Sequence, residues 1–319
     1  MPLHVPSIKL RFCAALLAIP AMLIPSLAAA QSRESLDDAW WTGPIMAPSA
    51  GALPRGHFLF EPYVFDVIKP HSHYYGSLTY INAGLGDGIT VGLIPTFGYS
   101  RAGYGGNSTR VGLGDWSVLG QYLLTQFHTG SRIPTTSVAI QQTFPTGKYD
   151  DLGSRPGDGL GAGAYTTQVS LYSQTYFWMP NGRILRTRLD LSESFSSRPR
   201  VNGVSVYGTP DSFHGSARPG NAFFGDLANE YSLTQRWVLA LDLVYLAAGN
   251  THVEGNVNAP VTMKGFVLNS GSSNAFAAAP ALEYNFSSNV GVIGGVRVIK
   301  ENRTTTGSIT PVVAVNIVY

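Results

Sequence analysis

The chain has little charge and almost no cysteine, and both absences narrow the class of protein. Its single cysteine, Cys13, lies in the first thirty residues, so the rest of the chain has no thiol, disulfide or thiolate metal ligand. Charged residues make up 13% of the chain, against about 25% in typical globular domains. Low charge beside 36 glycines, 16 tyrosines and 15 phenylalanines indicates closely spaced strands with an apolar outer surface.

The chain also lacks a long apolar run after residue 30. The most apolar stretch, WVLALDLVYLAAG, is interrupted by Asp242, and a membrane-spanning helix needs about 20 consecutive apolar residues. A closed β-barrel is the other fold that satisfies every backbone polar group in lipid. If the protein lies in a membrane, the sequence therefore predicts a barrel.

The first thirty residues predict a secretory signal peptide. They begin with Lys9 and Arg11, continue through an apolar core and end in three alanines, so we expect cleavage after Ala30. Pro20 and Pro25 break the core and argue against the alternative, an N-terminal membrane anchor. Residues 1–30 hold two of the 21 basic residues and none of the 19 acidic ones, so the remaining chain is formally neutral. Neutrality argues against nucleic acid as a partner.

Twelve runs of strand character follow Gly56. Most are long enough to cross a bilayer as tilted strands, and the connections after the first alternate between short and long, as between PNG and GLGDG on one side and PTGKYDDLGSRPGDGLGAG on the other. Outer membrane barrels have short periplasmic turns and long outward loops. The pattern predicts an all-β fold, a twelve-stranded antiparallel barrel of the bacterial outer membrane over residues 56–319. The predicted strands lie near 56–67, 73–83, 88–99, 111–126, 133–145, 164–178, 183–196, 219–233, 236–249, 273–286, 289–301 and 308–319.

Alternation along these runs places apolar residues on one face and polar residues on the other, which fits lipid outside and a polar lumen. Strand parity predicts ten charged residues that line the lumen. Two hypotheses remain open for them: they pair with one another and fill a narrow barrel, or they line a pore and set its selectivity. The ten residues are Glu61, Asp115, Arg186, Arg188, Asp190, Asp226, Glu230, Asp242, Glu283 and Arg297.

Aromatic residues cluster beside the short turns, where amphipathic rings favour the membrane interface. The chain also ends on an alternating strand whose last residue is aromatic. This strand predicts the closing pair of the barrel and the signal read by the barrel-insertion machinery, through Val313, Val315, Ile317 and Tyr319. The predicted periplasmic girdle contains Phe127, Phe177, Trp178, Tyr231, Trp237, Tyr284, Phe286 and Tyr319.

Residues 31–55 have no strand period and are rich in proline and small residues. They predict a periplasmic lead-in or a segment folded into the barrel mouth. A disordered tail is the alternative, although Trp40 and Trp41 are unusual for disorder.

Three stretches resemble a known family. VGLGDWSVLGQYLL, then VAIQQTFPTGKYDDL, then DGLGAGAY, together with the opening WWTGPIMAPSAGALPRGHFLFEPY, are similar to the phenol-degradation MetA-pathway proteins, an outer membrane family of transporter-like barrels. The motifs cover residues 40–180, and the strand pattern covers the rest. The resemblance implies passage of small aromatic or apolar compounds and supplies no set of functional residues.

Other motifs are weaker. GDGLGA, residues 157–162, matches a dinucleotide fingerprint but lacks the preceding strand and following helix that this site needs. His214 and Ser216 lack the strand setting of a barrel lipase, and His71 with His73 supply too few ligands for a metal site. The acidic loop around Asp150 lacks the spacing of a calcium loop. We predict no catalytic residue, no cofactor and no metal.

Three functional hypotheses follow. The first is passive uptake of small apolar or aromatic compounds through the barrel, with outer membrane lipid, the insertion machinery and the solute as partners. The second is a structural or surface-interaction barrel with a plugged lumen. The third is a lipid-modifying barrel enzyme. The sequence itself does not identify the solute.

Overall fold

The computed structural model describes residues 33–258 and 263–319. The predicted signal peptide lies outside the described residues, and its cleavage stays a prediction. No helix in the described ranges is long and apolar enough to span a membrane. Eighteen strands occur in these ranges: β1 (Phe58–Lys69), β2 (Ser72–Gly86), β3 (Ile89–Ile94), β4 (Thr96–Arg101), β5 (Gly112–Leu113), β6 (Trp116–Thr125), β7 (Thr135–Phe144), β8 (Thr166–Trp178), β9 (Ile184–Ser196), β10 (Arg200–Asn202), β11 (Phe213–Arg218), β12 (Ala222–Ser232), β13 (Trp237–Ala248), β14 (His252–Asn258), β15 (Met263–Asn269), β16 (Ser273–Asn285), β17 (Val290–Ile299) and β18 (Ser308–Val318).

Fourteen of these strands form one antiparallel sheet that closes on itself through β1 and β18. Two of the barrel strands are broken into pairs, β3 with β4 at Pro95 and β5 with β6 at Gly114 and Asp115. Counting each pair once gives twelve transmembrane strands, which confirms the predicted fold. The first residue of β1, the last residue of β18 and the short turns that follow β2 lie at one end of the barrel, which corresponds to the periplasmic end in outer membrane barrels. The turn between β1 and β2 is also short but lies at the other end.

Side chains alternate across the wall as the sequence predicts. On β13, Leu239, Leu241 and Leu243 are exposed on the outer face, whereas Val238 and Asp242 are buried inside. The inner face of the neighbouring β16 carries mainly alanine, which leaves room for other chain inside the barrel. The apolar outer face suits contact with lipid.

Part of the predicted aromatic girdle lies at the periplasmic end. The ring centroids of Trp237 and Tyr284 are 4.7 Å apart, and those of Tyr284 and Phe286 are 4.9 Å apart. Phe127 and Trp178 differ from the prediction. Phe127 is buried against Tyr176, and Trp178 shares the inward parity of β8, so neither ring lies on the outer face.

The long loops at the extracellular end contain structure that the sequence analysis missed. Strands β10, β11, β14 and β15 form a separate antiparallel sheet. It has its own small core, in which Val201, Phe213, Ala217 and Val253 are buried. The loop strands are short and three of them contain a glycine, so their periodicity is weak beside that of the barrel strands.

Hydrogen bonds also tie the other long loops together. The carboxylate of Asp158 accepts from the Thr109 backbone N–H at 2.6 Å and from its hydroxyl at 2.9 Å. These hydrogen bonds, the backbone one above all, hold the pKa of the exposed Asp158 carboxyl below its usual range. The described residues of the long loops are therefore connected to one another and do not form independent loops.

The closing strand pair gives a first prediction. Tyr319 donates its N–H to the Phe58 carbonyl at 2.9 Å, and Phe58 donates to the Tyr319 carbonyl at 2.8 Å. Deleting Tyr319 removes both bonds and the terminal ring, so we expect a smaller assembled fraction, measured as the heat-shifted band on an unboiled gel.

The variant Tyr319→Ala is the matched control, because it keeps both backbone bonds and loses only the ring. If the ring forms the insertion signal, both variants assemble poorly. Wild-type assembly of the deletion variant would contradict the role assigned to the closing residue.

Candidate functional site in the barrel lumen

Residues 33–57, here called the lumen segment, run inside the barrel. At the periplasmic end Glu34 donates its N–H to the Gly182 carbonyl at 3.0 Å. Further on, Leu53 donates to the Thr90 hydroxyl at 2.9 Å, and Gly56 donates to the Gly84 carbonyl at 3.0 Å just before β1. The segment therefore enters and leaves at the same end and covers the lumen between.

The sequence of the lumen segment explains why it forms no strand. Pro44, Pro48 and Pro54 lack a backbone N–H and fix φ, so the segment cannot pair as a regular strand. Its remaining N–H and C=O groups still need partners once they leave water. Inward-facing side chains of the wall supply them.

Asp242 is the main acceptor. Its carboxylate accepts the backbone N–H groups of Ile45 at 3.1 Å, of Met46 at 3.2 Å and of Ala47 at 3.2 Å. Asp242 is fully buried, so these charge-assisted bonds replace the water that the carboxylate gives up. One wall side chain thus fixes three consecutive residues of the lumen segment.

A second carboxylate fixes the segment nearer the periplasm. Glu283 accepts from the N–H of Thr42 at 2.8 Å and of Gly43 at 3.3 Å. The hydroxyl of Thr42 donates to the Asn285 side-chain carbonyl at 3.0 Å, and Asn316 donates to the Thr42 carbonyl at 3.4 Å. Thr42 is therefore held by three side chains from two strands of the wall, β16 and β18.

Two arginines complete the polar interior. Arg186 binds the Glu230 carboxylate with two N–H groups, and its guanidinium lies 4.5 Å from the centroid of the Trp41 ring. Arg188 Nε lies 3.1 Å from a Glu230 oxygen, and Arg188 donates to the Ala47 carbonyl at 2.9 Å. A buried carboxylate between two arginines has its charge compensated, and both arginines also hold the lumen segment.

The wall of the lumen carries more buried acids than these two arginines can neutralise. Neither carboxylate oxygen of Asp226 has a hydrogen-bond partner among the residues that the structure describes. The charges acting on it are those of Asp242 and Asp190, which are also acids. A buried carboxylate beside like charges is unfavourable, so Asp226 costs stability where Asp242 adds it.

Two wall glycines allow the lumen segment to approach closely. A Cβ at Gly291 would lie 2.1 Å from Thr42 Oγ1, and a Cβ at Gly295 would lie 2.5 Å from Ile45 Cδ1. Real Cβ atoms do not approach other atoms so closely, so a larger residue at these positions would force the Thr42 and Ile45 side chains to move. Ile45 packs there against a small cluster of buried residues that includes Ile293.

At the periplasmic end Glu34 clamps the beginning of the described segment. Its carboxylate pairs with Arg183 at 2.9 Å and accepts from the Ser232 hydroxyl at 2.8 Å. The indole N–H of Trp178 donates to the Glu34 carbonyl at 2.8 Å. This explains why Trp178 turns inward rather than joining the girdle.

A cavity of about 440 Å³ lies between the lumen segment and the wall. Four aromatic side chains line it, Tyr63, Tyr80, Tyr172 and Phe224, with Tyr63 and Tyr80 in edge-to-face contact at 5.9 Å. The polar part of the lining contains three glutamines on neighbouring strands, Gln121, Gln141 and Gln168, and three charged side chains, Glu61, Arg188 and Asp190. The cavity can therefore hold an apolar ring and satisfy a few polar groups at its edge.

The ten residues predicted to line the lumen occupy different places. Glu61, Arg186, Arg188, Asp190, Asp226, Glu230, Asp242 and Glu283 are buried. Arg297 is half-buried and donates to the Thr310 hydroxyl at 3.4 Å. Asp115 lies at the extracellular end, where it accepts from Gly147 at 2.9 Å and Ala162 at 2.7 Å and so holds a long loop. The lumen-lining role of the set remains a prediction.

Sequence reasoning missed the inward tyrosines and most of the lumen segment's partners. The sequence analysis assigned inward positions to charged residues and made no prediction for Tyr63, Tyr80 or Tyr172. Parity alone could have found Tyr172, which shares its face of β8 with Ser170 and Gln174. Glu34 could not have been found, because no periodicity connects it to Arg183.

The fold and its lumen define an outer membrane β-barrel of twelve strands. No protein-family model and no curated protein matches the chain. Among solved structures, an outer membrane channel from Pseudomonas putida F1 is similar with a TM-score of 0.57 and 12% sequence identity, over 86% of this chain and 100% of that one. At this identity the similarity establishes the fold alone.

Two further solved structures are less similar. The NanC porin has a TM-score of 0.45 and 11% identity, over 81% of this chain and 98% of its own. The toluene transporter TodX of Pseudomonas putida has a TM-score of 0.37 and 11% identity, over 90% of this chain and 96% of its own.

The two neighbouring acids give opposite predictions. Asp242→Asn weakens three charge-assisted bonds, so we expect the free energy of unfolding to fall by about 2 kcal/mol. Asp226→Asn removes a buried carboxyl group that lacks a hydrogen-bond partner among the described residues and lies beside Asp242, so we expect that free energy to rise by about 1 kcal/mol. Urea titration of both variants in lipid vesicles at neutral pH measures the difference. Equal shifts of the same sign in both variants would contradict the assigned roles.

The glycines test whether the lumen segment closes the barrel. Gly291→Val should displace Thr42 and raise the single-channel conductance in planar bilayers. Gly294→Val is the control on the same strand, since a Cβ there meets nothing within 4 Å, and it should leave the conductance unchanged. Both variants must first show the heat-shifted band of a folded barrel. Equal conductance of the two folded variants would show that the segment does not limit ion flow.

Proposed function

We propose that this barrel mediates passive uptake of small apolar or aromatic compounds across the outer membrane, without catalysis. The observation that carries this proposal is the aromatic-lined cavity of about 440 Å³ inside the lumen. A cavity of about 150 Å³ with apolar walls already accommodates benzene, so a single-ring compound fits with room to move. Tyr63, Tyr80, Tyr172 and Phe224 offer ring faces and edges to such a solute.

The hydrogen-bonding in the lumen favours this class of solute over sugars or ions. Most of the buried charges are already engaged with one another or with the lumen segment, as Glu230 is with Arg186 and Arg188. A hydrated solute would have to give up its water without new partners, which is costly. An apolar ring gives up little and gains contact with the tyrosines.

The lumen segment lies on the periplasmic side of this route. A solute that reaches the cavity from outside meets residues 42–53, which line its other wall. Passage to the periplasm then requires the segment to move, and its attachment through Asp242 and Glu283 makes that movement the slow step. Such a route suits slow, selective uptake and not bulk diffusion.

The sequence and the fold comparison support the same class. The motifs of residues 40–180 resemble the phenol-degradation MetA-pathway family, for which passage of aromatic compounds is expected. The solved structure from Pseudomonas putida F1 with a similar fold is an outer membrane channel. These are reasons to test the proposal with an aromatic solute first.

A second candidate is a surface-interaction barrel with a closed lumen. The extracellular sheet favours it, because four strands with their own buried core give the long loops a fixed shape. Under this alternative the cavity has no solute and the lumen segment never moves. Uptake measurements separate the two candidates.

The proposal is tested by replacing a residue of the wall with a larger one that fills the cavity. Leu119 faces inward and lines the cavity, whereas its neighbour Val118 is exposed on the outer face. Leu119→Trp should lower the initial uptake of radiolabelled toluene into intact cells to the rate of cells without the barrel, because the indole occupies the solute's space. Val118→Trp is the matched control and should keep the wild-type rate.

Folding of both variants is checked by the heat-shifted band, so that loss of uptake is not loss of barrel. Wild-type uptake by a folded Leu119→Trp barrel would contradict the proposal. So would toluene uptake by the wild-type strain that equals uptake by cells without the barrel.

A further inference from the structure

The outer wall carries a groove of about 780 Å³ that spans five neighbouring strands, β9, β12, β13, β16 and β17. Its floor consists of two rows of outward-facing residues connected by strand pairing. The upper row is Leu191, Gly225, Tyr245 and Phe276, and the lower row is Leu189, Leu227, Leu243, Ala278 and Val298. Five strands span about 19 Å at the usual strand spacing, which is close to the length of an extended acyl chain.

The groove exists because small residues stand between large ones. Gly225 has no side chain, and the Phe223 ring lies over it, 3.1 Å from where its Cβ would be. Ala278 forms the open low point, in the lower row. The rings of Tyr245 and Phe276 lie 4.9 Å apart and rise beside it. Elsewhere on the outer face, leucine, valine and aromatic side chains stand at most of these positions.

The groove lies in the extracellular half of the wall. Phe276 and Ala278 are near the extracellular beginning of β16, and Tyr245 is near the extracellular end of β13. In an outer membrane barrel this level faces the outer leaflet. The lipid that reaches the groove is therefore a lipid of that leaflet.

A positive charge stands at one end of the groove. Lys300 follows β17 directly, lines the groove and donates its backbone N–H to the Phe276 carbonyl at 3.3 Å. It is exposed and has no ion pair among the residues described. Its loop also contains Glu301 and Arg303, so the loop is net positive. The nearest outward acid across the groove, Glu193, lies four strands away, about 19 Å by strand spacing.

We propose that this groove is a binding site for a phosphorylated glycolipid of the outer leaflet, with an acyl chain in the groove and a phosphate at Lys300. The apolar floor provides contact along the chain, and the low point at Ala278 lets it lie deeper than on a flat wall. Lysine at the membrane boundary binds phosphate through charge-assisted hydrogen bonds. The site is independent of the lumen and of the solute proposed for it.

The experiment measures binding of purified diphosphoryl lipid A to the full-length barrel in non-ionic detergent, by native mass spectrometry. We expect one lipid A to remain bound to the wild type. Ala278→Phe fills the lower floor and should remove the bound lipid. Lys300→Ala should weaken binding by about tenfold, the effect of losing one charge-assisted contact.

Two control variants match these changes elsewhere on the molecule. Gly120→Phe places the same ring on an outward position of β6 where a Cβ meets nothing within 4 Å, and Lys264→Ala removes a lysine from the extracellular sheet. Both should bind lipid A as the wild type does. If Ala278→Phe does not fold, Ala278→Leu tests the same point.

Several results would overturn the proposal. One is equal binding by the folded Ala278→Phe and Gly120→Phe barrels. Another is binding of dephosphorylated lipid A as tightly as diphosphoryl lipid A, since the phosphate at Lys300 would then contribute nothing. A third is the same weakening by Lys264→Ala as by Lys300→Ala.

Discussion

The whole lumen depends on one requirement: the irregular backbone of residues 33–57 must find hydrogen-bond partners after it leaves water. A strand would satisfy these groups through a neighbouring strand, but the prolines of this segment prevent that. Inward carboxylates provide the alternative. Asp242 and Glu283 together accept five backbone N–H groups of residues 42–47. The buried acids of the wall therefore hold the lumen segment. This structural role differs from that of charges that line a pore.

The need to hold residues 33–57 inside the barrel also explains which residues the wall carries around these acids. Alanine on the inner face of β16 and glycine at positions 291 and 295 leave space for the segment. The two arginines neutralise Glu230 and also contact Ala47 and Trp41. What is left over is the cavity beside Tyr63, Tyr80 and Tyr172. Polar side chains of the wall hold the lumen segment in place. A solute can lie in the cavity that remains beside the tyrosines.

The barrel itself could be predicted from the sequence, because alternation over ten or more residues and alternating loop lengths are long-range, repeated signals. The inward position of Asp242 followed from the same alternation. Its partners did not: Ile45, Met46 and Ala47 lie almost 200 residues away in a segment without periodicity. The extracellular sheet was missed because its strands are short. Asp115 was assigned by parity to the lumen, but the wall is broken at that residue, and its carboxylate holds a loop instead.

The distance along the chain between the lumen segment and its partners has a consequence for assembly. Thr42 and Glu283 are 241 residues apart, and Ala47 and Asp242 are 195 apart. Contacts of such long sequence separation form late, since the intervening chain must be ordered first. The N-terminal part of the described chain is therefore among the last to reach its final position. Until β12, β13 and β16 are in place, these residues have no acceptors, and an open barrel without its lumen segment precedes the closed one.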